Sequence, residues 1–308
     1  MATQKWTEAN ISSQESKTVL ITGANSGLGL QAAMVLSAKG AHVIMTARNI
    51  EKGQEAIAGI KRKFPNAKIE LMHMDLADFD SIRKFSVEFH HQYSQLDILI
   101  NNAGIMSPKH REATKQNMEV QFGVNHLGHF LLTGLLLDVL KNTPHSRVVV
   151  QSSNAHHEKF MKPAIHFDDL NWEKSYNRFQ SYSQSKLANL LFAYELDRKL
   201  KANQLDMIVT AAHPGWTKTN LQNSMGFFVT RILNNIIGQD LPTGTLPILR
   251  AATEENLKGK EYFGPTRMNG LRGNPELVKS SNLSYDQALA KKLWEVSEKI
   301  TGITYKFN

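Results

Sequence analysis

Tyr182 and Lys186 stand four residues apart in the run Tyr182-Ser183-Gln184-Ser185-Lys186, at the start of a stretch with helical character. A phenol and an ammonium group therefore share one helix face. A free phenol, with a pKa of about 10, is a poor acid or base at neutral pH. A cation one helical turn away stabilises the phenolate and draws the pKa toward the working range. Pairs at this spacing are also common as plain surface pairs, so the meaning of this one rests on what else the chain carries.

A second pattern is Thr22-Gly23-Ala24-Asn25-Ser26-Gly27-Leu28-Gly29, set between an apolar run and a helix-compatible segment over 28–39. Gly23 permits a sharp exit from a strand and Gly27 lets the backbone approach a phosphate. Gly29 lets the helix lie close to the sheet with its first amides aimed at an anion. A purely structural turn is the alternative. Dinucleotide folds that take NAD place an acid at the end of the second strand, roughly twenty residues past the glycines. Here that end reads Thr46-Ala47-Arg48-Asn49. No carboxylate repels a 2′-phosphate and Arg48 offers a planar fork to receive one, so NADP(H) is expected over NAD(H). A solvated loop arginine is the bland reading.

The elements that must position these groups are legible as six short apolar runs, at 17–22, 41–46, 69–74, 96–101, 147–152 and 207–212, separated by charged or amphipathic stretches of helical length. Continuous apolar runs suit strands buried on both faces. Right-handed crossovers wind such a series into a doubly wound parallel sheet with helices on both faces, an α/β Rossmann-type fold. Ligands bind beyond the carboxyl ends of such strands, where the motifs fall. The 308 residues, 41% of them hydrophobic, are read as a polar N-terminal tail over 1–16 followed by one domain over 17–308.

The net charge of +8 comes from 36 Lys and Arg interleaved with 28 Asp and Glu. With no basic stripe, a nucleic-acid partner is not expected, although the sign favours anionic ligands. The chain has no cysteine, which excludes disulfides, a thiolate nucleophile and Cys-based zinc sites. The histidine pairs show no recognisable ligand spacing, so no metal is expected. Neither a signal segment nor an apolar run of about eighteen residues is present, and a cytoplasmic protein without an integral membrane segment is expected.

The glycine turn, Asn101-Asn102-Ala103-Gly104, Ser153, the Tyr182/Lys186 pair and Pro214-Gly215 together resemble the short-chain dehydrogenase/reductase family, in the family's order and over residues 17 to about 220. The run 151–157, the Pro214-Gly215-Trp216 turn and the length of the C-terminal part resemble its retinol-dehydrogenase-like branch and bacterial relatives.

That resemblance implies a catalytic tetrad of Asn125, Ser153, Tyr182 and Lys186. Tyr182 would exchange a proton with the substrate oxygen and Ser153 would hydrogen-bond that oxygen. Lys186 would hold the nicotinamide ribose, and Asn125 a water that relays the proton. A plain hydrogen bond from Asn125 to backbone is the alternative. Chemistry alone leaves the choice between the adjacent serines open; the family's spacing to the tyrosine favours Ser153, with Ser152 then structural or a hydrogen-bond donor behind it. The cofactor would lie on Gly23, Asn25, Ser26, Gly27, Leu28, Gly29 and Arg48, with Asp75 and Leu76 at the adenine, and Asp75 read alternatively as a helix N-cap. Asn102, Ala103, Gly104, Pro214, Gly215 and Thr217 would complete it.

The resemblance also places a substrate lid at about 219–240, where Phe227, Phe228, Ile232 and Ile236 give an apolar face suited to a hydrophobic alcohol, aldehyde or ketone. A packing helix or a membrane-contacting surface fits the same stretch. The reaction expected is carbonyl/alcohol interconversion with NADP(H). Its rivals are a catalytically silent NADP(H)-sensing protein and a protochlorophyllide-reductase-like double-bond reductase, the latter opposed by the lack of cysteine. The long apolar stretches over 122–140 and 187–200 are compatible with a homodimer or homotetramer, and equally with core.

Overall fold

A computed structural model describes residues 5–217 and 238–307 of the chain. One eight-stranded sheet runs in the order β3-β2-β1-β4-β5-β6-β7-β8. The strands are β1 (Thr18–Ile21), β2 (His42–Ala47), β3 (Ile69–His73), β4 (Ile98–Asn101), β5 (Ser146–Gln151), β6 (Met207–Ala212), β7 (Tyr262–Arg267) and β8 (Arg272–Leu277). All pairs are parallel except β7 with β8. The order reverses between β1 and β4, paired at Leu20 with Leu99, so their carboxyl ends open the crevice where such sheets take ligands.

The flanking helices are α1 (Gly27–Ala38), α2 (Ile50–Lys63), α3 (Phe79–Gln92), α4 (Val120–Phe122), α5 (His129–Leu135), α6 (Leu137–Asn142), α7 (Arg178–Ala202), α8 (Leu241–Thr253) and α9 (Gln287–Thr301). A π-helical stretch, Gly123–Gly128, joins α4 to α5. Burial on two sides divides the apolar residues into two cores. Leu20, Leu99 and Val148 face α5 and α7, whereas Val19, Ile100 and Val149 face α1 and α8. This is the two-period alternation of a strand covered on both faces. Among the described residues no helix is long and apolar enough to cross a membrane.

Two differences from the sequence reading, and the cover of the two apolar stretches that it left open between core and a subunit contact, follow from packing. The stretch read as a polar tail lies on the second core through Trp6 and Ile11, with the Arg250 guanidinium 5.9 Å from the Trp6 ring. The sheet gains two strands, one of them antiparallel. The apolar stretches over 122–140 and 187–200 are already covered within one chain, because α9 packs on α7 and the Tyr305 hydroxyl donates to the Phe130 carbonyl at 2.6 Å. The expected lid over 219–240, except for its last residues, lies outside the described residues.

Candidate active site

The carboxyl ends of the central strands open into a cleft of about 770 Å³. Its floor at one end is the glycine turn. Gly23 and Gly27 both hold left-handed backbone, φ 62° and 56°, a conformation that costs other residues a clash with their own Cβ. A Cβ on Gly27 would meet nothing within 4 Å, so the backbone there is open to a ligand, whereas one on Gly29 would come 2.5 Å from Asn102 Nδ2. Ser26 caps α1 without a side-chain hydrogen bond. The first amides of α1 therefore face the cleft through Gly27, Leu28 and Gly29 with nothing from Ser26 to satisfy them, an arrangement suited to a phosphate.

Arg48 lies on the same rim, exposed, next to the buried Ala47, and makes no hydrogen bond or ion pair among the described residues. Asp75 also borders the cleft, but the N-cap reading fails for it. Its carboxylate accepts from Ala77 N at 2.9 Å in an Asx turn, and Asp78 caps α3. Asn102 donates from Nδ2 to the Thr22 carbonyl at 2.8 Å, which fixes the turn that continues through Ala103 and Gly104. An uncapped helix start, an open glycine backbone and a guanidinium without an ion partner together fit a phosphate-bearing dinucleotide.

At the other end stand Ser153, Tyr182 and Lys186. Tyr182 is on the first turns of α7, which starts where the Asn177 side chain accepts from Phe179 and Gln180 N. Burial pushes the pKa of its hydroxyl up to about 12, against a smaller downward pull from the neighbouring Ser153 hydroxyl. The pull expected from Lys186 is not seen: burial raises the phenol's pKa and the lowering comes from Ser153. The Lys186 amine lies 5.7 Å from the Tyr182 ring centre and donates to the Gln151 carbonyl at 3.3 Å. Burial pushes its own pKa down to about 8. Of the two serines, Ser153 meets the tyrosine, while Ser152 donates to the Lys186 carbonyl at 2.9 Å and serves the frame.

Asn125 lies behind the cleft wall, fully buried in the π-helical stretch. Its Oδ1 accepts from Ile105 N at 2.7 Å, and its Nδ2 donates to the Ile105 carbonyl and to Ser185 Oγ, both at 2.9 Å. The side chain thus ties the Gly104-Ile105 loop to α7. Pro214 and Gly215 border the cleft after β6; Gly215 holds φ 65°, and a Cβ there would come 2.5 Å from the Leu271 carbonyl oxygen, so both the backbone and the space call for glycine. Thr217 bridges to Gln239, whose Nε2 donates to the Pro214 carbonyl at 2.6 Å.

Two groups escape a reading of spacing. Thr22 and His129 form a buried hydrogen-bonded link behind the glycine turn, and nothing local in either stretch signals it. The apolar wall of Met106, Phe160, Met161, Phe179 and Leu271 comes from four separate loops and helix starts, and only the fold assembles it.

Residues 17–165 match the family model described as short chain dehydrogenase. Retinol dehydrogenase 13 of Homo sapiens is 37% identical over 298 residues, covering 93% of this chain and 85% of that protein. Polyprenol dehydrogenase of Homo sapiens is 34% identical over 295 residues, covering 93% and 86%. A crystal structure of an uncharacterized protein from Mycobacterium paratuberculosis is 38% identical with a TM-score of 0.82, covering 98% of this chain and 100% of that one.

Proposed function

This chain belongs to the short-chain dehydrogenase family and is an oxidoreductase acting on CH–OH or C=O groups; from that premise we propose that it interconverts a hydrophobic alcohol and its aldehyde or ketone with NADP(H). The observation that carries the reading is that Ser153, Tyr182 and Lys186 line the same cleft as the glycine turn, with the Lys186 amine 5.7 Å from the Tyr182 ring centre.

Gly23, Asn25, Ser26, Gly27, Leu28 and Gly29 would hold the cofactor phosphates, and Arg48 the 2′-phosphate that separates NADP(H) from NAD(H). Asp75 and Leu76 would meet the adenine. Asn102, Ala103 and Gly104 would line the middle of the dinucleotide, and Pro214, Gly215 and Thr217 its reactive end. When bound, the nicotinamide supplies or accepts the hydride.

The rest is done by side chains. At neutral pH Tyr182 is a protonated phenol, able to donate to a carbonyl oxygen brought against it. Ser153 accepts from Ala155 N at 3.3 Å through Oγ and keeps its hydroxyl proton for the same oxygen. Below about pH 8 Lys186 is an ammonium group, and it stabilises the phenolate that remains after proton transfer. Asn125 contributes by fixing the loop beneath these groups. This division of labour favours the reductive direction.

The wall formed by Met106, Phe160, Met161, Phe179 and Leu271 supports an apolar substrate. Retinol and polyprenol, in the names of the two human relatives, are apolar alcohols. The test is a panel of apolar and polar aldehydes, ketones and alcohols, followed by nicotinamide absorbance with NADPH/NADP and NADH/NAD. Turnover confined to apolar carbonyls and alcohols and faster with the phosphorylated cofactor is expected. Absence of turnover with every pair, or preference for polar sugars, would overturn the reading.

A further inference from the structure

Ser153 ends the run that follows β5 and begins a single 3-10 turn, Asn154–His156. One such turn is a weak support for a group that must point in one direction, since it contains two backbone hydrogen bonds, from His156 N to the Ser153 carbonyl and from His157 N to the Asn154 carbonyl. The turn is instead held from outside. The Ser183 hydroxyl on α7 donates to the Ala155 carbonyl at 2.6 Å, and Asn154 Nδ2 donates to the Gly270 carbonyl at the tip of the β7–β8 hairpin at 2.8 Å.

His156 supplies the remaining hold. Its ring, 1% exposed, hydrogen-bonds through Nδ1 to the Ser153 carbonyl. It lies edge-on to Tyr262 of β7, with ring centres 5.5 Å apart at 78°. A carbonyl only accepts, so Nδ1 carries the proton. Burial pushes the ring's pKa down to about 4, which keeps it neutral through the working range. Among the described residues Nε2 has no partner and is buried, so there the polar interaction this ring makes through its nitrogens is directed at Ser153.

We propose that His156 is a positioning residue for the reaction: its Nδ1–H, with the ring backed by Tyr262, fixes the Ser153 backbone and so aims the serine hydroxyl at Tyr182 and the substrate oxygen. The proposal rests on the role given to Ser153 above. The histidine does not border the cleft. The β7–β8 hairpin thereby acts on the chemistry from behind, through residues with no reactive part.

The test compares His156→Asn with His156→Leu. Both remove the ring from Tyr262 and are similar in size, but only asparagine places an N–H donor near the position of Nδ1. The leucine variant is expected to lose roughly tenfold in kcat relative to the asparagine variant. The Kd for NADPH, measured by fluorescence, should be the same in both. In a Ser153→Ala background the two substitutions should become indistinguishable, because the group they aim is gone. Should His156→Leu fail to fold, His156→Gln replaces it, its amide reaching the Nε2 position instead. Equal kcat for the donor and non-donor variants, or a difference that persists without the serine hydroxyl, would overturn the proposal. A Ser153→Ala protein with full turnover would overturn the assigned role of Ser153 itself, a separate failure.

Discussion

The Thr22 hydroxyl and His129 Nε2 are hydrogen-bonded at 2.8 Å across 107 positions of sequence. His129 Nδ1 lies 3.0 Å from the Asn125 carbonyl, which can only accept, so the ring proton sits on Nδ1 and Thr22 donates to Nε2. Thr22 Oγ in turn accepts from Asn102 N and Ala103 N, both at 2.9 Å. One neutral imidazole thus connects the helix carrying Asn125 to the turn that borders the cofactor cleft.

His129→Phe leaves the Thr22 hydroxyl and the Asn125 carbonyl without this partner in a buried place, at a cost of about 1–3 kcal/mol. A lower Tm and weaker NADPH binding are expected together, read by thermal melts and fluorescence titration. Unchanged nucleotide binding would show that the link does not shape the cleft.

Acid should destabilise the fold earlier than carboxylates alone would. Burial pushes His126 and His213 down to about 3, and His129 and His156 down to about 4. Between these values and about 6.5 the unfolded chain binds the protons that the folded chain refuses, so stability rises with pH in that window. It is fully present above about pH 6.5 and is lost as pH falls toward 4. Melts between pH 7 and 4.5 should show a steep fall in Tm, less steep in His126→Asn. A flat profile would contradict the buried neutral rings.

Arg48→Asp should raise the KM for NADPH by about tenfold or more while leaving that for NADH unchanged or lower, because a carboxylate repels a 2′-phosphate and accepts from a 2′-hydroxyl. Steady-state kinetics with both cofactors decides it. Equal effects would place Arg48 outside cofactor discrimination.

Carbonyl reduction should slow as pH rises through about 8, the value to which burial brings Lys186. Above it the amine is neutral and no longer stabilises the phenolate that the reaction leaves on Tyr182. The same depression makes the lysine's contribution to folding stability increase between about pH 8 and its ordinary value of 10.5. A kcat profile flat to pH 10 would exclude this role.

Much of the sheet was legible because β1 to β6 are apolar runs bounded by turns, and the cleft-lining glycines fall where a strand must end. β7 and β8 were not. Gly264 and Pro265 interrupt one, and Arg272, Gly273, Asn274, Pro275 and Glu276 fill most of the other. Edge position lets the residues of β8 pair without apolar content, and in β7 the Gly264-Pro265 step lies past the pairing with β6, which covers Tyr262 and Phe263. Trp6 and Ile11 were hidden by their polar neighbours. For the site, type and spacing pointed to Tyr182 and Lys186, and the family resemblance to Ser153, and the fold brings the three to one cleft. They could not reveal that burial dominates the tyrosine's proton affinity, that Asn125 lies behind the wall, or that His129 and His156 support the cleft from long range.

In the proposed reaction Tyr182 is the group that carries the proton. Tyr182→Phe keeps the ring and removes the hydroxyl, so the measurement is its steady-state kcat on the best substrate of the carbonyl panel, beside its Kd for NADPH. The prediction is a loss of roughly 10²–10⁴-fold in turnover with nucleotide binding within about threefold of the parent protein. Turnover within about threefold of the parent would contradict it.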